Sequence, residues 1–216
     1  MTDKLIITGT DTDIGKTAFS AALMLGLEDA KKTPHYWKPV QSGIDSVDTK
    51  TVQDLTNLPA ERFLAEHYIL SEPLSPHRAA EIDGVEIDVE ALRNSENIPQ
   101  CDGTLIIEGA GGLMVPMTRK NLQVNLYKDW NIPVVLCART GLGTINHTLL
   151  SLEAIWSRKV PLKGIVFIGE DNADNIRTIS EFADVKVLGH MPHLPHLDDT
   201  SLRLAFGNNF KVSDFV

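Results

Sequence analysis

The sequence predicts an α/β fold with a doubly wound, mainly parallel sheet and helices on both of its faces. The first observation is a set of short apolar runs on successive residues, at 5–7, 105–107, 134–136 and 165–168, with shorter candidates at 36–38 and 186–188. Uninterrupted apolar runs are typical of parallel strands that are covered on both faces, whereas half-exposed strands alternate.

The second observation is that helix-like segments separate these runs. These segments lie at 16–27, 122–130, 144–156 and 172–182. Strands that alternate with helices favour a doubly wound sheet. The stretch 45–98 is less regular, and we expect short helices there. Because no repeat or linker-like run divides the chain, we predict one domain over residues 1–216.

Composition limits the possible functions and the compartment. The formal charge of −9 makes nucleic acid or an anionic membrane an unsuitable partner. The two cysteines, Cys101 and Cys137, are far apart, which favours a reducing cytoplasm without a disulfide. Cys137 lies in an apolar run and is expected to be an inert core thiol. We expect a cytoplasmic protein, because neither a signal-peptide pattern nor a membrane-length apolar run is present.

A glycine-rich loop at residues 9–17, Gly-Thr-Asp-Thr-Asp-Ile-Gly-Lys-Thr, is the third observation. It has one residue more between its glycines than the usual phosphate-binding loop, but a strand precedes it and a helix follows. Gly15 allows close approach of a phosphate, Lys16 is placed to reach the β- and γ-phosphates, and Thr17 is placed to ligate Mg²⁺. The domain is therefore predicted to be P-loop NTPase-like. The alternative is a helix start that happens to carry Gly-Lys-Thr.

Three further polar clusters follow predicted strands, where ligands bind in open α/β sheets. Lys38 can neutralise a transferring phosphoryl group, and Glu108 can hold Mg²⁺ or a water. The turn at 141–147 offers free N–H groups to a second anion. Each also has a structural explanation, as a strand-closing lysine, a turn glutamate and an ordinary strand–helix connection. Asp48 and Asp54 both remain possible as Mg²⁺ ligands.

Five motifs in order give a resemblance to the bacterial dethiobiotin synthetases of biotin biosynthesis. The resemblance runs from Lys4 to Leu194 and rests on GTDTDIGKT at 9–17, KPVQSG at 38–43, PLSPH at 73–77, EGAGG at 108–112 and GTINH at 143–147. It implies a cyclo-ligase that converts 7,8-diaminopelargonic acid, CO₂ and ATP into dethiobiotin, ADP and phosphate with Mg²⁺. A substrate amine forms a carbamate, the carbamate attacks the γ-phosphate, and the second amine closes the ring and expels phosphate.

The resemblance also implies roles for individual residues. Lys16 and Lys38 are catalytic, and Thr17, Asp48 and Glu108 bind the metal, with Asp48 preferred over Asp54. Further nucleotide-binding residues are Asp13, Ile14, Gly15, Ala18, Gly109, Ala110, Gly111, Pro192, His193 and Leu194. Further substrate-binding residues are Thr12, Ser42, Gly143, Thr144 and Asn146. The helix N-terminus at 142–146 receives the substrate carboxylate in the family, often from the partner subunit, which predicts a homodimer.

The sequence departs from the family in the segment that recognises the adenine base of the nucleotide. Many relatives carry Asn-Asp after the strand matched by 165–168, and that asparagine reads adenine. Here the chain continues with Gly169, Glu170, Asp171 and Asn172. Since a missing hydrogen bond removes discrimination between bases, we hypothesise looser nucleotide selection than in such relatives.

Asp13 is unusual, because an acid in the loop opposes phosphate unless it faces a metal, a cationic substrate or solvent. Two other functions use a related fold. Cobyric and cobyrinic acid synthases normally add a glutaminase domain, for which the chain is too short. Partition or septum-positioning ATPases carry an additional lysine early in the loop, and residues 10–14 contain none.

Overall fold

The computed structural model describes residues 3–216, and its centre is a seven-stranded sheet. In chain order the strands are β1 Asp3–Gly9, β2 Pro34–Trp37, β3 Val40–Ser42, β4 Phe63–Leu64, β5 Tyr68–Leu70, β6 Thr104–Glu108, β7 Val134–Arg139, β8 Leu162–Ile168 and β9 Val187–Met191. The large sheet has the order β4-β2-β6-β1-β7-β8-β9, and β3 and β5 pair separately. All of these pairs are parallel. The predicted α/β fold with a mainly parallel sheet is confirmed.

Helices cover both faces of the sheet. They are α1 Lys16–Asp29, α2 Asp48–Thr56, α3 Pro76–Asp83, α4 Val89–Arg93, α5 Gln123–Trp130, α6 Thr144–Ser157, α7 Ala173–Ala183 and α8 Asp199–Asn209. Short 3₁₀ turns lie at Ala60–Arg62, Ser95–Asn97 and Val212–Asp214. The four helices expected from the sequence are present, and the irregular stretch 45–98 carries the expected short helices α2, α3 and α4.

Each face of the sheet has its own hydrophobic core, which explains the uninterrupted apolar runs. In β1, Ile6 packs with α3 to α7, whereas Leu5 and Ile7 pack on the other face with α1, α2 and α8. Successive side chains of a strand point to opposite faces of the sheet. A strand that is covered on both faces therefore needs an apolar residue at every position.

Helix α8 lies outside the sequence expectations, and a close contact fixes it to α1. A Cβ atom on Gly26 would lie 2.2 Å from the ring of Phe206, so only glycine permits this approach. Phe206 also packs among Phe210 and Phe215. The pairing of β3 with β5 was likewise not expected, because three-residue strands carry too few side chains to show a period.

Parallel pairing brings the C-terminal ends of the central strands to one edge of the sheet. Trp37 of β2 pairs with Ile107 of β6, and Ile7 of β1 pairs with Glu108. The residues that follow β1, β2 and β6 are therefore neighbours. Within 3–216, no helix is long and apolar enough to cross a membrane.

Candidate functional site

The loop after β1 has the backbone of an anion-binding turn. Gly15 caps α1 with φ of 94°, and Asp13 also has a positive φ, of 53°. Left-handed residues within a turn let successive N–H groups point to one concave side. Lys16 is 6% exposed, and its Nζ donates to the carbonyl of Asp11 at 3.3 Å. The loop thus has the shape and the buried lysine that a phosphate needs.

A buried carboxylate stands opposite this loop at the end of β6. Glu108 is 0% exposed and accepts hydrogen bonds from Ser20 Oγ at 2.7 Å and from Thr17 Oγ1 at 2.9 Å. Lys38 Nζ lies 3.6 Å from Glu108 Oε1 and forms an ion pair with Asp48. Four elements therefore contribute charged or polar groups to one cluster, and the predicted Lys38 and Glu108 meet there because they lie at the ends of neighbouring strands.

Three oxygen atoms of this cluster fit a divalent cation. Thr17 Oγ1 lies 3.0 Å from Asp48 Oδ1 and 2.9 Å from Glu108 Oε1. A hydroxyl group has one proton, so it can donate to only one of these carboxylates at a time. A hard cation such as Mg²⁺ prefers oxygen ligands and commonly takes one or two carboxylates with water and phosphate oxygens. No group of three or more His, Cys, Asp or Glu that could hold a metal occurs in the described chain, residues 3–216.

The two lysines differ in electrostatic environment. Burial lowers the pKa of Lys16, and the positive charge of Lys38 lowers it further against the opposing effect of Glu108. Burial also disfavours the charged form of Lys38, but Glu108 and Asp48 outweigh this effect, so the pKa of Lys38 is raised. Lys38 is therefore held as a cation at neutral pH.

A cleft of about 580 Å³ brings most of the predicted residues together. Its lining includes Thr12, Asp13, Gly15, Lys16, Thr17, Ala18, Lys38, Ser42, Asp48, Glu108, Ala110 and Gly111. Asp54 lies outside it, on the exposed side of α2 in an ion pair with Lys50. The structure thus separates the two aspartates that the sequence left open and places Asp48 at the lysine cluster.

Comparison with known proteins identifies the family. A family model described as an AAA domain matches residues 3–201. The chain is 52% identical over 217 residues to the ATP-dependent dethiobiotin synthetase BioD of Rhodopseudomonas palustris strain BisB5, covering 100% of the chain and 98% of the relative. The chain belongs to the ATP-dependent dethiobiotin synthetase family. The BioD proteins of Nitrobacter hamburgensis and Afipia carboxidovorans are 50% and 51% identical to it over 217 residues, covering all of the chain and 98% and 100% of those relatives.

Solved structures of lower identity show the fold alone. The septum site-determining protein MinD of Pyrococcus horikoshii, solved with Mg-ADP, has a TM-score of 0.60 at 12% identity, with 96% of each chain covered. The cell division ATPase MinD of Pyrococcus furiosus has a TM-score of 0.59 at 12% identity, covering 95% of this chain and 97% of that one. The chain therefore shares its fold with these two proteins.

Several residues that the family resemblance implied lie outside the lining of the cleft. Ile14 packs into the core, and Gly109 lies under the Tyr127 hydroxyl, which would be 2.0 Å from a Cβ atom at that position. The turn before α6 is separate, with Gly143 and Asn146 exposed and Thr144 buried. The remaining members of this group are Pro192, His193 and Leu194, which follow β9.

The end of β8 is apolar, and the family resemblance leads us to expect an adenine-reading asparagine directly after it. Ile168 is 8% exposed, and its Cγ2 atom would lie 3.0 Å from a Cβ atom on Gly15. The nearby asparagines have local partners. Asn172 caps α7 by accepting from the N–H of Asn175, and Asn175 Nδ2 donates to the carbonyl of Thr140 at 2.8 Å.

Two polar residues of this site were missed by sequence reasoning. Gln41 is buried; its Oε1 accepts from the N–H of Asp48 at 3.2 Å, and its Nε2 donates to the carbonyl of Gly43 at 3.1 Å. Ser20, which holds Glu108, lies three residues after Thr17 on α1. Helical spacing places positions three apart on one face, so this signal could have identified Ser20. Gln41 gives no such signal, because its role depends on the fold of the loop at 43–47.

Proposed function

We propose that this chain closes 7,8-diaminopelargonic acid with CO₂ to dethiobiotin, converting ATP to ADP and phosphate. The observation that carries the proposal is the buried cluster of Lys38, Glu108, Asp48 and Thr17 opposite the phosphate loop, in one cleft. The protein acts as one P-loop ATPase-like domain over residues 1–216. It works in the cytoplasm as a homodimer, without nucleic acid or membrane as a partner.

The chemistry has three steps. One substrate amine adds to CO₂ and loses a proton, which gives a carbamate. A carbamate oxygen attacks the γ-phosphorus in line, the bond to the ADP oxygen breaks, and a carbamic–phosphoric anhydride forms. The second amine then attacks the carbonyl carbon, loses its proton, and expels phosphate as the cyclic urea closes.

Lys16 and Lys38 are the catalytic residues of this proposal. Negative charge develops on the oxygens around phosphorus during transfer, and two cations on nearly buried lysine side chains stabilise it strongly. The raised pKa of Lys38 keeps its charge in place. The lysines also position the carbamate for in-line attack, which removes much of the entropic part of the barrier.

The nucleotide is held by the phosphate loop, Asp13 to Ala18, and by the turn Glu108 to Gly111. Thr17, Asp48 and Glu108 would hold Mg²⁺, which would supply positive charge that lowers the repulsion between phosphate oxygens. Pro192, His193 and Leu194 are proposed to lie beside the base, although they do not line the cleft in the single chain.

The substrate lies beside Thr12, Lys38 and Ser42. The hydroxyl of Ser42 supports this placement, because it is buried at the cleft without a hydrogen-bond partner. A buried polar group without a partner is costly, and a carbamate or amine of the substrate offers one. Asp13 then faces a diamine, which explains an acid in a phosphate loop.

The far end of the substrate requires a second subunit in this proposal. The N-terminus of α6 carries exposed Gly143 and Asn146 beside buried Thr144, and its free N–H groups suit a carboxylate. The neighbouring Leu142 is fully exposed although it is apolar. A twofold dimer would cover Leu142 and bring this turn to the partner's cleft.

One assay tests the function. The protein is incubated with ATP, Mg²⁺, bicarbonate and 7,8-diaminopelargonic acid, each is omitted in turn, and dethiobiotin is measured by mass spectrometry. We expect dethiobiotin only in the complete mixture and a loss of turnover by orders of magnitude in Lys16→Ala. Phosphate release without dethiobiotin would instead support a nucleotide-switch ATPase of the partition type or a cobyrinic acid synthase-like ATPase.

A further inference from the structure

Arg139, the last residue of β7, reaches the phosphate loop from the neighbouring strand. β7 pairs with β1, and Gly9 lies opposite Cys137, so the loop that leaves β1 passes the end of β7. Nη2 of Arg139 donates to the carbonyl of Thr12 at 3.1 Å and to the carbonyl of Asp13 at 3.2 Å. One terminal NH₂ group therefore bonds two successive carbonyls of the loop.

These two bonds fix the direction of the loop's N–H groups. In a trans peptide the C=O and the N–H point in opposite directions. The carbonyls of Thr12 and Asp13 face Arg139, so the N–H groups of Asp13 and Ile14 face away from it. N–H groups that turn together to one side form the concave arrangement that binds anions.

The loop needs such support, because its conformation is unfavourable by itself. Asp13 has φ of 53°, in the left-handed region that residues with a Cβ atom rarely adopt. Asp11 and Asp13 also add negative charge beside the place where a phosphate binds. Arg139 holds the carbonyl of the strained residue and supplies a compensating positive charge.

Arg139 is itself anchored to a rigid element. The hydroxyl of Thr144, the first residue of α6, donates to the carbonyl of Arg139. The backbone of Arg139 is thereby fixed between the end of β7 and the start of α6. A side chain that is fixed at the end of a strand and the start of a helix positions its partner more precisely than a side chain on a loop does.

We propose that Arg139 is a positioning residue that holds the phosphate loop in its anion-binding conformation before the nucleotide arrives. Lys16 and Thr17 act on the ligand directly, whereas Arg139 acts through the loop backbone. The identity of the ligand as ATP rests on the proposed function. The effect on the loop does not, because it is a property of the free protein.

The test compares Arg139→Ala and Arg139→Lys with Arg158→Ala. Arg158 is a matched control, because its Nη1 donates to the backbone carbonyl of Ala154 at 3.2 Å, at the far end of α6. The first readout is amide hydrogen exchange of residues 10–17 in nucleotide-free protein. The second is the affinity for Mg-ADP by calorimetry, and the third is the separation of kcat from KM for ATP.

We expect faster exchange confined to the loop in Arg139→Ala, with affinity for Mg-ADP weakened about tenfold, KM for ATP raised by a similar factor and kcat changed much less. Arg139→Lys should recover part of the affinity, because it keeps a charged donor. Arg158→Ala should match the unmodified protein in all three readouts.

Loop exchange and Mg-ADP affinity in Arg139→Ala that equal those of Arg158→Ala would overturn the proposal. So would a loss confined to kcat with unchanged KM. A protein that binds Mg-ADP but forms no dethiobiotin would refute the proposed function, and the exchange and affinity measurements would still decide the role of Arg139.

Discussion

The ammonium group of Lys38 lies 3.6 Å from Oε1 of Glu108, and both side chains are almost completely removed from solvent. Lys38 follows β2 and Glu108 ends β6, so the pairing of these two strands places the charges side by side. Removing two charges from water costs several kcal/mol per ion, which their attraction offsets only in good geometry. Such a buried pair in the lining of a cleft is better explained by the charge of a ligand than by stability.

Replacement of Lys38 by methionine should lower turnover at least about a hundredfold, because one cation at the developing phosphoryl charge is lost. The measurement is the initial rate of dethiobiotin formation at saturating ATP. Lys50→Met is the matched control, since Lys50 is exposed and pairs with Asp54 on the outer side of α2. Turnover in Lys38→Met that equals the control would show that the lysine is structural.

Substitution of the two aspartates of α2 should have different effects on the Mg²⁺ dependence of the rate. Asp48→Asn removes a carboxylate from the oxygen cluster and should raise the Mg²⁺ concentration for half-maximal rate roughly tenfold or more. Asp54→Asn breaks only an exposed ion pair with Lys50 and should leave that concentration unchanged. A Mg²⁺ titration of both variants checks this, and a reversed order would move the metal ligand to Asp54.

We expect the protein to discriminate only weakly between the bases of ATP, GTP and CTP. Ile168, the last residue of β8, is apolar, and Asn172 and Asn175 already have local hydrogen-bond partners. Steady-state rates with ATP, GTP and CTP at equal Mg²⁺ measure the selection. A preference for ATP beyond about 100-fold would contradict the hypothesis, because such discrimination requires specific hydrogen bonds to the base.

Cys137 should be unreactive in the folded protein. Burial raises the pKa of its thiol far above the usual range, so at about pH 8 it remains protonated and is not a nucleophile. In a Cys101→Ser variant, a chromogenic disulfide reagent should titrate Cys137 only after the protein is unfolded in denaturant. Rapid reaction of that variant under native conditions would mean that β7 is more accessible than the structure indicates.

The sheet was predictable because burial on both faces leaves a strong sequence signal. Each apolar run that was predicted to be a strand overlaps a strand of the large sheet. Strand β4 and the β3–β5 pair were not predictable, because two or three residues carry no period. The packing of helix α8 on α1 includes the contact between Gly26 and Phe206, which are far apart in sequence, and such contacts leave no local pattern.

The positions of the charged residues and of the phosphate loop were predictable for a related reason. Lys38, Glu108 and the phosphate loop each follow an apolar run, and parallel strands bring such positions to one edge. Gln41 and Arg139 were not found, because each bonds the backbone of a loop whose shape only the fold defines. For Gln41 it is the loop that directly follows, and for Arg139 it is the distant phosphate loop. The family resemblance already preferred Asp48 over Asp54, and the fold supplies the reason, because Asp48 lines the cleft and Asp54 lies on the outer side of α2.

In the proposed reaction, a carbamate oxygen attacks the γ-phosphate of ATP in the cleft of Lys38 and Glu108. The most direct test uses bicarbonate labelled with oxygen-18, in unlabelled water, with the label in released phosphate followed by mass spectrometry over a time short against exchange with water. We predict that dethiobiotin and phosphate form in equal amounts and that each phosphate carries one oxygen from bicarbonate. Phosphate whose new oxygen comes from water would contradict the account, because it would show hydrolysis of ATP instead of phosphoryl transfer to a carbamate.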